Sequence, residues 1–247
     1  MKGHGLLKDK VVVVTAAAGT GIGSATAKRC LEEGATVIIS DWHERRLKET
    51  HESLGTALAI PCDVTDEQQV QTLVDETVAR FGRIDVMVNN AGLGGEKSVL
   101  DMTDDEWSRV LDVTLNGTFR CTRAVLRQMV AQRSGVVVNN SSVIGWRAQK
   151  GQAHYAAAKA GVMALTRCAA MDVAEHGIRV NAVAPTLAAH PFLAKVTSEE
   201  LLTELASREA FGRAAEPWEV ANVIVFLASD YSSYLTGEVV SVSSQHP

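Results

Sequence analysis

Short, unbroken apolar runs alternate along this chain with segments of helical periodicity, and this alternation is the feature that most limits its fold. The first run, Val11–Val14, consists entirely of β-branched residues, which is typical of a strand covered on both faces in a parallel sheet. The later predicted strands are Thr36–Ser40, Leu58–Pro61, Ile84–Val88, Val136–Val138, Ile178–Val183 and Glu238–Val242. With helices between them, these strands indicate the α/β class and a doubly wound, mostly parallel seven-stranded sheet with helices on both faces. A ligand site is then expected at the carboxyl ends of the strands.

Length and composition favour a single domain. The chain has 247 residues, 46% of them hydrophobic, and no Pro- or Ser-rich linker, so we expect residues 1–247 to form one domain. The net charge is −5 and the basic residues are dispersed, which argues against a nucleic-acid or anionic-membrane partner. The four cysteines show no C-x-x-C spacing, so neither a metal site nor a disulfide framework is expected. The absence of an apolar signal core or membrane-length apolar run predicts a soluble, cytoplasmic protein.

A glycine-containing turn follows the first predicted strand directly. The segment Thr15–Gly23 leads into an apolar-periodic helix that stops at Gly34. Glycine lets the backbone approach a pyrophosphate, and the helix N-terminus directs free N–H groups at it. The residues that we predict to bind a dinucleotide here are Ala17, Gly19, Thr20, Gly21, Ile22 and Gly23. A plain tight turn is the alternative interpretation.

The second predicted strand ends in Asp41, eighteen residues after Gly23. A carboxylate at this strand tip accepts hydrogen bonds from the ribose hydroxyls of adenosine and repels a 2′-phosphate, so the sequence favours NAD(H). Arg45 and Arg46 follow closely and leave NADP(H) open, because an arginine accommodates that phosphate; a solvated helix face is their other interpretation.

Three residues near position 150 have the spacing of a proton-transfer site. Tyr155 and Lys159 are four residues apart, so in a helix their side chains leave the same face one turn apart. A nearby ammonium favours the phenolate, so we expect the pKa of Tyr155 to be lowered and Tyr155 to act as a general acid/base. Ser142, after an apolar run, offers a hydroxyl that holds a substrate oxygen. A surface tyrosine with a solvated lysine is the alternative.

Taken together, these motifs resemble the main single-domain branch of the short-chain dehydrogenase/reductase family over essentially the whole chain, which implies a Rossmann fold. The motifs that carry the resemblance are Gly21-Ile22-Gly23, Asp63-Val64, Asn89-Asn90-Ala91-Gly92, Ser142, Tyr155-x-x-x-Lys159, Arg179-Val180-Asn181 with Pro185, and Leu235-Thr236-Gly237. The resemblance implies that Tyr155 is the acid/base, that Lys159 binds the nicotinamide ribose, and that Ser142 orients the carbonyl or alcohol. Asp63 is then expected beside the adenine amino group and Asn90 beside the adenosine ribose. Further cofactor contacts are implied at Val64, Gly92, Pro185 and Ala188, and the family suggests a homotetramer.

The chain departs from the family pattern at several positions. Ala17 stands at the position of the first glycine of the turn, which predicts a slightly less permissive loop. Thr114 stands where the family has a catalytic asparagine, and Asn116 is too far around the helix to replace it. We retain Thr114 as a candidate catalytic residue, with the proton relay from Lys159 in question. Thr186 and His190 replace a glycine and a threonine after Pro185, and Val242-Ser243-Ser244 replaces a Val-Asp-Gly-Gly ending.

The variable segment at about 186–213 is expected to cover the substrate. It contains a predicted amphipathic helix from Thr197 to Leu205. The candidate substrate contacts are Gly94, Trp146, His190 and Phe192. An apolar wall of this kind suits a bulky or alicyclic substrate, and the chain also resembles actinobacterial family members associated with steroid-ring breakdown.

The leading hypothesis is therefore an NAD(H)-dependent alcohol dehydrogenase/ketoreductase, acting on an acid or coenzyme A thioester of such a ring system. Two alternatives remain open. One is an NADPH-dependent 3-oxoacyl-thioester reductase, since the segment GQAHYAAAKAG resembles that subgroup. The other is a non-catalytic NAD(H)-binding protein. An enoyl reductase is disfavoured because such relatives separate the tyrosine and lysine by more than four residues.

Overall fold

The computed structural model describes residues 3–189 and 199–244. In this part of the chain seven parallel strands form one sheet in the order β3-β2-β1-β4-β5-β6-β7. The strands are β1 Val11–Val14, β2 Thr36–Asp41, β3 Leu58–Pro61, β4 Val86–Asn89, β5 Gly135–Asn140, β6 Ile178–Pro185 and β7 Val239–Val242. The predicted doubly wound sheet is confirmed, with several strand boundaries displaced by a few residues.

Helices connect the strands and cover both faces of the sheet. They are α1 Ile22–Glu32, α2 Glu44–Leu54, α3 Glu67–Phe81, α4 Asp104–Leu111, α5 Gly117–Gln132, α6 Ala153–Val173, α7 Glu199–Arg208 and α8 Pro217–Ala228. A π-helical turn, Asp112–Asn116, joins α4 to α5. The predicted capping box of Thr103 and Glu106 is confirmed at α4. The box predicted for Thr65 and Gln68 is wrong, because the cap of α3 is Asp66, which accepts from the backbone of the second and third residues that follow it.

The strands read as unbroken apolar runs because their side chains are buried alternately on both faces. On one face Val13, Ile38 and Met87 pack in a core shared with α3, α5 and α6. On the other, Val12 and Val14 pack in a core shared with α1 and α8. Each face removes its apolar area from water at about 25 cal/mol per Å².

The position of the site follows from the topology. Because β1 pairs with β2 on one side and with β4 on the other, the crossover connections diverge there and leave a crevice at the carboxyl ends of the strands. The loops after β1, β4 and β5 all open onto this edge. Within the described ranges, none of the helices has both the length and the apolar character that crossing a membrane requires.

Candidate active site

The loop after β1 is held in one shape by hydrogen bonds from a neighbouring loop. Thr15 Oγ1 accepts from the backbone N–H of Asn90 (3.0 Å) and of Ala91 (3.2 Å). A Cβ on Gly23 would lie 2.4 Å from the Ala16 carbonyl oxygen and 2.6 Å from Asn90 Nδ2, so only glycine lets α1 start this close to the loop. This contact fixes the first turn of α1 against the sheet edge.

The strained position in this loop is Ala16 and not Ala17. Ala16 adopts a left-handed φ of 49°, which an L-residue with a side chain rarely occupies, and Gly19 has φ 89°. Ala17 is fully buried, lacks a positive φ, and donates its backbone N–H to the Ser40 carbonyl (3.0 Å). The backbone restriction that we predicted at Ala17 is therefore found at its neighbour, Ala16.

The amino end of α1 is suited to bind an anion. Its N-cap is Gly21, which has no side chain to cap the helix, so within residues 3–189 and 199–244 no capping side chain occupies the first N–H groups of this eleven-residue helix. Such N–H groups, with the positive end of the helix dipole, attract phosphate. Gly19, Thr20 and Ile22 lie at this end of the helix, as predicted from the sequence.

The cleft beside this helix has about 850 Å³ of space, which lies within the usual range for a cofactor pocket. It is lined by Asp41 and Asp63, two of the three predicted adenosine contacts, together with Val64 and Gly92. The third, Asn90, bonds to the loop after β1. Asp41 is 7% exposed; its Oδ2 accepts from Ala18 N (3.2 Å) and its Oδ1 from His43 N (2.9 Å). Those two bonds orient the carboxylate while leaving lone pairs for further donors. The residues present therefore fit a dinucleotide.

The adjacent arginines after Asp41 differ in their surroundings. Arg45 is 75% exposed and forms an ion pair with Glu49 at 3.1 Å. Arg46 lines the cleft, and its Nε is buried without a hydrogen-bond partner among the described residues. Of these two arginines, Arg46 is the one placed to meet a ligand in the cleft.

Tyr155 and Lys159 lie one turn apart on α6, as the spacing predicted. Lys159 is 3% exposed, and its Nζ lies 5.5 Å from the centre of the Tyr155 ring. The ammonium donates to the Asn140 carbonyl oxygen at 2.5 Å. Ser142 accepts from Ile144 N (3.3 Å) and donates to the Pro185 carbonyl (3.4 Å), so it stands at the ends of β5 and β6.

The pKa of Tyr155 is shifted in the direction opposite to our expectation. Burial raises the pKa of Tyr155 to about 12, and the Ser142 hydroxyl acts in the other direction by favouring the phenolate. Burial also lowers the pKa of Lys159 to about 8. An ammonium one helical turn away favours the phenolate, but desolvation of the buried phenol outweighs it. With a raised pKa, Tyr155 keeps its proton at neutral pH, as an unperturbed tyrosine also does.

Thr114 is fully buried in the π-helical turn. Its hydroxyl accepts from Leu93 N (3.0 Å) and donates to Leu93 O (3.1 Å), so it holds the loop after β4. A Cβ on Gly92 would lie 3.3 Å from Lys159 Nζ and 3.8 Å from Thr114 Oγ1, so the two groups approach each other there. Asn116 is exposed and donates to Asp112, and thus lies outside this cluster.

The predicted substrate contacts are only partly covered by the structure. A Cβ on Gly94 would lie 3.8 Å from the Tyr155 ring, so Gly94 forms a wall of the site. Trp146 is 41% exposed and follows the short turn after Ser142. His190 and Phe192 lie outside the described residues.

Two other predicted contacts lie along the exit of β6. Pro185 ends this strand, and its carbonyl accepts from Ser142. Ala188 is buried and forms a parallel bridge with Ala215. That bridge places Ala188 on the stem of the variable segment.

Sequence reasoning missed Asn140. It forms the backbone contact with Lys159, and its Nδ2 donates to Asn90 Oδ1 at 2.9 Å. A polar pair at the end of an apolar strand, Asn139-Asn140, was the available signal. Sequence also gave no indication that Trp107 and Arg109 on α4 line the far side of the cleft.

Comparison with known proteins agrees with this geometry. Residues 16–244 match the family described as Enoyl-(Acyl carrier protein) reductase. The chain is 67% identical to the (5R,7aS)-5-hydroxy-7a-methyl-1-oxo-2,3,5,6,7,7a-hexahydro-1H-indene-carboxyl-CoA reductase of Mycobacterium tuberculosis, covering 99% of this chain and 96% of that protein. It is 42% identical to the 3-oxoacyl-(acyl-carrier-protein) reductase of Thermotoga maritima, over 96% and 97% of the two chains.

A solved structure shows the same architecture. The crystal structure of a short chain dehydrogenase from Mycobacterium smegmatis aligns with a TM-score of 0.89 at 58% identity, covering 100% of this chain and 97% of that one. Members of this family bind a nicotinamide cofactor and act on small molecules. The chain therefore belongs to the short-chain dehydrogenase/reductase family and is an oxidoreductase of the alcohol dehydrogenase/ketoreductase type.

Proposed function

We propose that this enzyme uses NAD(H) to interconvert a ring ketone and a secondary alcohol on a bicyclic acid or its coenzyme A thioester. The observation that carries the proposal is the convergence of Ser142, Tyr155 and the buried Lys159 beside a cleft lined by Asp41. The M. tuberculosis relative, named as a reductase of a hexahydroindene carboxyl-CoA, supports the substrate class.

The three side chains divide the proton chemistry between them. The nicotinamide cofactor, when bound, supplies or accepts the electron pair. In the reduction direction, Tyr155 gives its phenolic proton to the substrate carbonyl oxygen, and Ser142 holds the same oxygen by a hydrogen bond. The ammonium of Lys159, fixed by the Asn140 carbonyl, stabilises the phenolate that remains. In oxidation the same residues act in reverse.

Asp41 supports the choice of NAD(H). Its carboxylate is buried and oriented by two backbone N–H groups, so it is preorganised to accept from ribose hydroxyls. The same charge opposes a 2′-phosphate. We therefore place NAD(H) ahead of NADP(H).

The walls of the site near Tyr155 support a bulky apolar substrate. Gly94 lies against the Tyr155 ring, which a Cβ at this position would meet at 3.8 Å, and Trp146 is 41% exposed four residues after Ser142. A wall without polar side chains at these two positions suits ring carbons better than a sugar. The T. maritima relative favours a second candidate, a 3-oxoacyl-thioester reductase using NADPH.

We further propose a homotetramer. Large apolar side chains are exposed on two separate surfaces: Leu100, Trp107 and Phe119 around α4 and α5, and Trp218 and Phe226 on α8. Two such patches on one subunit suit two different symmetric contacts. Sedimentation equilibrium tests this, and a monomer at micromolar concentration contradicts it.

The function is tested with ring ketones and ring alcohols, as free acids and coenzyme A thioesters, assayed with NADH and NADPH side by side. Tyr155→Phe is expected to lower turnover by at least about a hundredfold and to leave NADH binding nearly unchanged. The matched control is Tyr234→Phe, since Tyr234 is fully exposed. Substantial activity of Tyr155→Phe contradicts the mechanism. Tight NADH binding by the wild-type protein without any turnover supports a non-catalytic binding protein instead.

A further inference from the structure

Asn140, which ends β5, joins two parts of the site that are distant in sequence. Its Nδ2 donates to Asn90 Oδ1 at 2.9 Å, and its backbone carbonyl accepts from Lys159 Nζ at 2.5 Å. Asn90 Nδ2 in turn donates to the carbonyl oxygens of Thr15 (3.2 Å) and Ala16 (3.0 Å). A continuous chain of contacts therefore runs from the glycine loop to Lys159.

The partners fix the direction of this chain. Asn90 Nδ2 faces two carbonyl oxygens, which only accept, so that end of the amide must be the NH₂ group. Asn90 Oδ1 is then an acceptor, and Asn140 must present its own NH₂ group to it. A residue at position 140 without a donor leaves a partly buried acceptor on Asn90 unpaired, which costs free energy.

Stability alone does not explain Asn140. It is 9% exposed, yet its Oδ1 is buried with no hydrogen-bond partner in the described part of the chain. The adjacent Asn139 differs: it faces the other side of the sheet, accepts from Asn89 (2.9 Å) and donates to Thr166 (2.9 Å). Asn139 thus belongs to a structural network, whereas Asn140 contacts the glycine-loop support and the lysine.

We propose that Asn140 is a positioning residue that couples the dinucleotide-binding loop to Lys159. A dinucleotide that orders the glycine loop also fixes Asn90, and through it the end of β5 that receives the ammonium. The ammonium is then held at its place beside Tyr155. This inference rests on the roles proposed above for Tyr155 and Lys159.

Loss of the Asn140 side chain is expected to loosen both ends of the chain of contacts. NADH binds more weakly because the loop is no longer fixed. In alcohol oxidation the phenolate of Tyr155 is less stabilised once the ammonium is displaced, so the rate profile moves to higher pH. His154, the titratable neighbour of Tyr155, with Glu106 facing it from α4, is unchanged in every variant.

The test compares Asn140→Leu with the matched Asn139→Leu. NADH affinity is measured by fluorescence titration, and the pH dependence of kcat/KM is measured for alcohol oxidation. For Asn140→Leu we expect about tenfold weaker NADH binding, because one partly buried acceptor on Asn90 is left unpaired. We also expect the pH profile to move to higher pH by about half a pH unit or more. For Asn139→Leu we expect a lower Tm with wild-type affinity and profile.

The pair Asn140→Ala and Asn139→Ala, which also lacks a side-chain donor, serves the same comparison if a leucine variant does not fold. Unchanged affinity and profile in the Asn140 variants overturn the proposal, and so do equal changes in both members of a pair. The proposed function is tested separately by Tyr155→Phe. If that variant stays active, the proposed function fails, whereas the NADH affinities of the position 139 and 140 variants still report on the loop contact.

Discussion

Cofactor choice depends on a single carboxylate, and its removal is expected to collapse the preference for NADH. Asp41 is 7% exposed and is held by the N–H groups of Ala18 and His43, so it cannot swing away from a bound ribose. A phosphate monoester carries a charge of about −1.5 to −2 near neutral pH. Two unit charges about 5 Å apart repel by ~0.8 kcal/mol in water and by ~3 kcal/mol at an effective dielectric constant of ~20. A partly buried carboxylate lies between these limits, so we expect at least a tenfold preference for NADH, about 1.4 kcal/mol.

The variants separate repulsion from hydrogen bonding. Asp41→Asn keeps the shape and one acceptor but removes the charge, so NADPH binding should improve while NADH binding weakens moderately. Asp41→Ser should weaken NADH binding by about tenfold or more, since hydrogen bonds to a charged group contribute about 1.5–3 kcal/mol. Dissociation constants come from fluorescence titration, and kcat/KM is measured with both cofactors.

The arginines provide an internal control. In the Asp41→Ser background, Arg46→Ala should weaken NADPH binding, because Arg46 lines the cleft and its Nε has no partner in the described part of the chain. Arg45→Ala should change little, because Arg45 is exposed and paired with Glu49. If the wild-type enzyme uses NADPH as well as or better than NADH, then Asp41 does not face the ribose and the reasoning is refuted.

Two further predictions concern stability and the glycine loop. Burial lowers the pKa of Lys159 from its usual 10.5 to about 8, so between these values the folded protein binds fewer protons than the unfolded chain and its stability rises with pH. Lys159→Met should therefore raise the free energy of unfolding at pH 7 by about 1 kcal/mol or more and abolish turnover. Calorimetry should find that this gain in stability is lost at pH 10.5. A variant that is less stable than the wild type at pH 7 contradicts the prediction. Gly23→Ala should lower Tm and weaken NADH binding by about tenfold or more, because its Cβ would lie 2.4 Å from the Ala16 carbonyl and 2.6 Å from Asn90. Gly21→Ala, whose Cβ meets no other protein atom, should keep the wild-type Tm.

The architecture was predictable from sequence because the inner strands β1, β2 and β4 are buried on both faces of the sheet. Such strands must be apolar throughout, so they appear as unbroken runs such as Val11–Val14, and the helices between them force parallel pairing. The placement of Asp41 and Ser142 at one sheet edge follows from the same rule, since both stand at the carboxyl ends of strands. The Tyr155–Lys159 pairing needed only the helical period.

What the tertiary structure decided depends on distances and burial between residues far apart in sequence. The pKa of Tyr155 is raised and not lowered, because desolvation outweighs an ammonium that is 5.5 Å from the ring and bonded elsewhere. The sequence does not distinguish Arg45 from Arg46. In the fold, Arg46 reaches the cleft, whereas Arg45 pairs with Glu49 at the surface. Asn140 contacts Asn90 and Lys159 because the sheet places β5 between β4 and β6. These contacts could not be predicted, since hydrogen bonds across a sheet edge leave no periodic pattern in the sequence.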